Sequence, residues 1–204
     1  MLPEFQNEAL TDFSDPANSR AFAEALKTVE ARLPIQGKNH IGGKEAGASK
    51  SFESVNPARP AQIIGRFPEG TREDAERAVA AAHEAFRSWG ATEPGRRVEL
   101  LVRIASILRR RKHEFSALMV LEESKSWVEA DGDTAEAIDF CEFYARDMER
   151  LAQPQPVVQS QGEKDELVFL PLGVCAVIPP WNFPLAILTG MTTAALVTGN
   201  TVVL

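Results

Sequence analysis

Residues 167–204 contain no Asp, Glu, Lys, Arg or His, and the run is interrupted by Pro179, Pro180, Pro184, Gly190 and Gly199. An uncharged stretch of that length has to lie under other protein or in lipid. Its interruptions decide between the two, because Gly190, Thr192, Thr193, Thr198, Gly199 and Asn200 break up what would otherwise be a bilayer-length span. The pattern reads as a buried strand over residues 174–178, a turn set by prolines, a buried helix, and a second strand. That strand follows a helix stop at Gly199 and Asn200 and is cut off at Leu204. Strand, helix, strand with continuous apolar character is the pattern of the α/β class, with a parallel sheet that is incomplete over these residues.

The whole chain, 204 residues with 44% hydrophobic and 25% charged content, has the balance of a soluble globular protein. A formal net charge of −7 argues against nucleic acid as a partner, which requires a dominant basic face. Cys141 and Cys175 lie far apart without Cys-x-x-Cys or Cys/His ligand spacing, so neither a zinc site nor a disulfide framework is expected. His40, His83 and His113 share no ligand spacing and read as surface histidines, and no metal is expected. The opening MLPEFQNEAL lacks the basic start and apolar run of a secretion signal, which points to a cytoplasmic protein with no membrane partner.

Residues 1–34 are expected to form a helical arm, with Phe22, Ala25, Leu26 and Val29 on one face of a helix over 19–33. Residues 35–67 hold many glycines and prolines among short β-prone pieces and suggest small hairpins. Thr71 caps a helix over 72–89. After Pro94 and Gly95 one long helix is expected to carry Leu101, Ile104, Ala105, Leu108, Phe115, Leu118 and Met119 at three- and four-residue spacing. Its other face, with Arg96, Arg97, Arg103, Arg109, Arg110, Arg111 and Lys112, reads as solvated and ion-paired. Asp133 or Thr134 opens a further helix to about Leu151, and residues 153–170 read as a β-hairpin reaching another subunit. The chain thus divides into an arm (1–34), one α/β unit (35–152 and 171–204) and an assembly hairpin (153–170).

The common phosphate, hydrolase and metalloprotease motifs are absent. What remains is the turn Ile178, Pro179, Pro180, Trp181, Asn182, Phe183, Pro184 at the carboxyl end of the first strand, where α/β sheets collect ligands. Prolines there fix the backbone and remove N–H groups, leaving carbonyls and ring faces as a rigid floor. Asn182 has two readings: a helix N-cap, or an amide that donates to an oxygen gaining negative charge. The residues alone do not choose between them.

At this turn the sequence resembles the aldehyde dehydrogenase superfamily, through PWNFP at residues 180–184, the GNTVV string at 199–203, and VNP at 55–57. Three further strings resemble the Δ1-pyrroline-5-carboxylate (L-glutamate γ-semialdehyde) dehydrogenase group: PEFQNEALTDF at 3–13, SWVEADGDTAEAIDFCEFYAR at 126–146 and PLGVCAVIPPWNFPLAILTGM at 171–191. The likeness runs along the whole chain, which corresponds to roughly the first two-fifths of such an enzyme. It implies the N-terminal part of a Rossmann-like NAD-binding domain with an oligomerisation hairpin, in a homo-oligomer built on dimers. It implies NAD as cofactor, an aldehyde substrate, Asn182 as the catalytic oxyanion donor, and Ile178, Pro179, Pro180 and Trp181 as the cofactor floor. Glu136 would bind the substrate ammonium and Phe183 its aliphatic part. The implied function is oxidation of L-glutamate γ-semialdehyde to L-glutamate in proline degradation; a different aldehyde dehydrogenase, or a non-catalytic assembly module, are the competing readings.

That chemistry needs a cysteine thiolate and a glutamate base, and neither has a counterpart within these residues. Cys141 and Cys175 sit in apolar surroundings and read as structural. Residues 1–204 by themselves are therefore expected to be inactive.

Overall fold

The computed structural model describes residues 2–47 and 49–204. The Asp15 side chain accepts the Ala17 N–H at 2.8 Å and Pro16 opens the first turn of α1 (Pro16–Glu30). Short strands follow: β1 (Ile35–Gln36), β2 (Asn39–Ile41), β3 (Lys44–Ala46), β4 (Ser51–Asn56) and β5 (Arg59–Pro68). β4 and β5 are antiparallel, β1 lies parallel on the other edge of β5, and β2 with β3 makes a separate hairpin. The latter turns through Gly42 and Gly43 at φ +58° and +75°, left-handed values that favour glycine. α2 (Arg72–Trp89) starts where the sequence places it, closed by a capping box in which Thr71 and Asp74 each satisfy the other's backbone N–H.

The expected long helix is two: α3 (Pro94–Arg110) and α4 (Lys112–Glu123), divided at Arg111, whose backbone sits at φ −109°, ψ 18°. The break lets one apolar stripe serve two partners. Val98, Leu101, Ala105 and Leu108 of α3 pack on α5 (Trp127–Leu151), while Ala117 and Leu121 of α4 join Val29 of α1 and Ile64 of β5. α1 is thus no projecting arm, and Phe22 is fully buried. α5 begins earlier than its expected start at Asp133 or Thr134, because Ser126 and Glu129 form a capping box. Asp133 is left in mid-helix, 2% exposed.

The uncharged run folds as β6 (Val174–Ala176), α6 (Ala186–Val197) and β7 (Thr201–Val203), with β6 parallel to β7 in the register Val174 to Thr201 and Ala176 to Val203. α6 ends in a Schellman motif: the Gly199 N–H bonds to Leu196 O, the Asn200 N–H to Ala195 O, and Gly199 takes φ +93°. Leu196 O also accepts Trp89 Nε1–H at 3.1 Å, and the Val197 carbonyl accepts Arg97 Nε–H at 2.8 Å. Arg97 is therefore not part of a solvated basic face; it is 5% exposed, and burial holds its pKa below the ordinary value. Arg109 and Lys112 do pair, with Glu8 and Glu142 and with Asp131.

Residues 2–13 have no helix or strand and run antiparallel along α5 as a strap. Backbone N–H groups of Leu2, Glu8 and Thr11 donate to Glu149, Asp139 and Asp131 at 2.9, 2.6 and 2.7 Å. Arg146 and Lys112 return bonds to the carbonyls of Pro3 and Ala9. Three carboxylates on one helix thus replace the neighbouring strand that an extended segment would otherwise need.

The hairpin expected over 153–170 does not form as paired strands. The segment is turned near Gly162, with the Gln159 side chain bonded to the Asp165 carbonyl and N–H and the Asp165 carboxylate accepting the Ser160 N–H, but no ladder joins its arms. Val158, Val168 and Leu170 are 93%, 64% and 78% exposed, so no buried face fixes a register. Among the described residues no helix is long and apolar enough to cross a membrane.

Candidate active site

The turn between β6 and α6 is built from two anchors and a free middle. Val177 is buried at one end, and Leu185 packs at the other on a core cluster of Ala105, Leu108, Ala137, Ile138 and Cys141. Between them Ile178 and Trp181 project into solvent, 85% and 84% exposed, and Pro180 and Asn182 are exposed as well. Ile178, Pro179, Pro180 and Trp181 thus form a contiguous surface of apolar groups at the carboxyl end of β6. Only two of the four carry a backbone N–H. Such a surface can support a flat or extended ligand without leaving donors unpaired.

Asn182 is not the cap of α6. The helix begins at Ala186, its N-cap position is Leu185, and no side chain of the turn bonds to it. The cap comes from another helix: the Asp133 carboxylate accepts the Ala186 N–H through Oδ1 at 2.7 Å. A carboxylate at that end is favoured by the helix dipole, as Arg97 is at the other. Asn182 is left with no hydrogen-bond partner among the described residues, so its amide is available to a ligand.

The second oxygen of Asp133 pairs with the Lys125 ammonium, which also lies 3.9 Å from Glu123 and 4.6 Å from the centre of the Phe183 ring. Burial pushes the Glu123 carboxyl above its ordinary pKa against the pull of Lys125, with Glu122 and Asp133 reinforcing the rise. Phe183 is 40% exposed, the cation under one face and the rest open. Glu136 is exposed on α5, three residues beyond Asp133 and hence its neighbour on the helix surface. Phe183 and the Asp133–Lys125 pair therefore form one cluster, with Asn182 next to Phe183 in the chain and Glu136 one turn beyond Asp133 on α5.

Neither cysteine joins this cluster as a nucleophile. Cys141 is fully buried, and burial pushes its pKa up to about 12. Cys175 is half-buried in the middle of β6. His113, expected at the surface, is half-buried against Phe22 with Nδ1 unbonded, and burial lowers its pKa. Sequence reasoning missed Lys125, Asp133 and Asn200, whose Oδ1 accepts the N–H groups of Leu172 and Gly173 and ties β6 to the start of β7. The signal for Asp133 was present: Ser126-x-x-Glu129 marks the helix start and leaves an aspartate one turn inside.

The sequence profile of the aldehyde dehydrogenase family matches residues 44–204. The chain is 51% identical over its full length to 1-pyrroline-5-carboxylate dehydrogenase of Geobacillus sp. strain WCH70, of which it spans 40%. The crystal structure of 1-pyrroline-5-carboxylate dehydrogenase from Thermus with bound NAD is 40% identical and superposes with a TM-score of 0.95 over 98% of this chain and 39% of that one. Proline utilization A from Bdellovibrio bacteriovorus is 42% identical with a TM-score of 0.92, covering 98% of this chain and 21% of that one.

Proposed function

Because the chain belongs to the aldehyde dehydrogenase family, we propose that it supplies the oxyanion donor and substrate-contacting residues for NAD-dependent oxidation of L-glutamate γ-semialdehyde to L-glutamate, a step of proline degradation. The observation that carries this reading is the unpartnered Asn182 amide beside the start of α6, freed because Asp133 does the capping. When an aldehyde is attacked, its oxygen gains negative charge, and an amide donor already in place lowers that barrier without reorganising.

Glu136 would bind the α-ammonium of the substrate by a charge-assisted bond, and Phe183 would pack on its methylene groups. Ile178, Pro179, Pro180 and Trp181 fit a cofactor floor by their exposure, and NAD bound there would supply the hydride acceptor. No residue among 1–204 fits the attacking thiolate, Cys141 being buried with a pKa of about 12 and Cys175 lying within β6, so a polypeptide of these residues alone should give no turnover. The exposed apolar arms of 153–170 would serve homo-oligomeric contacts, set off from an α/β unit over 35–152 and 171–204 on which α1 packs. A cytoplasmic location accords with this chemistry.

The test is NADH formation by the full-length gene product with L-glutamate γ-semialdehyde. Asn182→Ala should lower kcat on the order of a hundredfold or more with little change in thermal stability, since the amide makes no bond to lose. Glu136→Ala should raise KM for the amino-acid aldehyde but not for a simple aliphatic aldehyde. Equal effects on both substrates would favour a general aldehyde dehydrogenase.

A further inference from the structure

We propose that Lys125 and Asp133 are positioning residues for the Asn182 turn, acting through Phe183 and Ala186, one and four residues beyond that asparagine; the proposal rests on the function just described. Asn182 has no bond that fixes its own direction, so its orientation depends on its neighbours in the chain. One residue on, Phe183 lies with its ring 4.6 Å from the Lys125 ammonium. Four residues on, the Ala186 N–H is held by Asp133 at 2.7 Å.

Lys125 and Asp133 are themselves joined, and both are removed from water: the Asp133 side chain is 0% and the Lys125 side chain 13% exposed. A cation that pairs with a buried carboxylate and also rests under an aromatic ring couples the two pins. Shifting either one shifts the other. Glu123 at 3.9 Å completes the surroundings of the ammonium. The pair sits on the segment just before α5 and within its second turn, so the turn that carries Asn182 is referenced to α5, the same helix that carries Glu136. The Asn182 donor and the Glu136 carboxylate are thereby kept in one frame, which is where misplacement by about 1 Å is worth on the order of a hundredfold in rate.

The test uses the full-length gene product with Lys125→Met, Lys125→Arg and Asp133→Ala. Lys125→Met should lower kcat about ten- to a hundredfold with KM for NAD within about twofold, and Lys125→Arg, which keeps the charge over the ring, should recover most of the loss. Asp133→Ala should speed amide exchange at Ala186 about tenfold or more. Should Lys125→Met or Asp133→Ala fail to fold, Lys125→Gln or Asp133→Asn is read by the same criteria. Wild-type kcat in Lys125→Met, no recovery in Lys125→Arg, or unchanged exchange at Ala186 would each overturn the proposal. If the unsubstituted protein gives no NADH with the aldehyde, the functional reading falls, and the exchange at Ala186 still decides whether Asp133 holds the turn.

Discussion

Replacing Asp131 by alanine should detach the strap from α5 and destabilise the protein by about 3 kcal/mol. Asp131 is 1% exposed and accepts the Thr11 N–H at 2.7 Å, the Thr11 hydroxyl at 2.6 Å and the Lys112 ammonium at 3.0 Å. Removing one member of a buried ion pair costs about 3–5 kcal/mol, chiefly because the other charge is left without a partner. The two bonds from Thr11 add less than their nominal value, since the strap can swing out and let water replace them. For a domain of this size, 3 kcal/mol corresponds to a fall in Tm of about 6–12 °C. Urea unfolding with an unchanged m-value is the assay. Its double-mutant cycle with Lys112→Met should return a coupling of at least about 1 kcal/mol, because neither charge is then stranded. A loss below about 1 kcal/mol would refute the stranded-charge argument, and a protein lacking residues 2–13 should keep most of the loss, less the part contributed by the two Thr11 bonds.

Other outcomes follow from the same geometry. Gly190→Ala would place a Cβ 2.9 Å from the Phe140 ring where α6 crosses α5, and should cost about 1–3 kcal/mol by overpacking, measured as a shift in the urea midpoint. Cys141 should resist thiol reagents at pH 8 in the folded protein, since its pKa near 12 leaves almost no thiolate, and should react at once on unfolding. Burial depresses the pKa of His113 from 6.5, so the unfolded chain binds a proton there before the folded one does. Stability should therefore fall as pH drops below about 6.5, and His113→Gln should flatten that slope while leaving the acid limb, set by carboxylates such as Glu114 and Glu142, in place.

How far the sequence could be read depended on whether a feature was local. α2 was legible to the residue because its capping box lies within four positions, and β6, the turn and α6 were legible because prolines and the loss of all charge leave few conformations open. The division at Arg111 was not, since no proline or glycine marks it and the apolar spacing runs through unbroken. The strap was invisible for the opposite reason. Asp131, Asp139 and Glu149 look like ordinary charges of a solvated helix face, and only the folded chain shows that each holds a backbone N–H more than a hundred residues away. Asn182 lay between: the resemblance gave it a role, but its freedom to perform that role depends on Asp133, a residue the spacing suggested as a helix start.

The strap also sets an order of events during synthesis. Thr11 and Asp131 are 120 residues apart, and Leu2 and Glu149 are 147 apart. At a translation rate of about 5–20 residues per second, the strap waits on the order of ten seconds before the helix it binds has emerged. Leu2, Phe5 and Leu10 remain open to chaperones or to other nascent chains throughout that interval. A segment made well before α5 is among the last to be fixed.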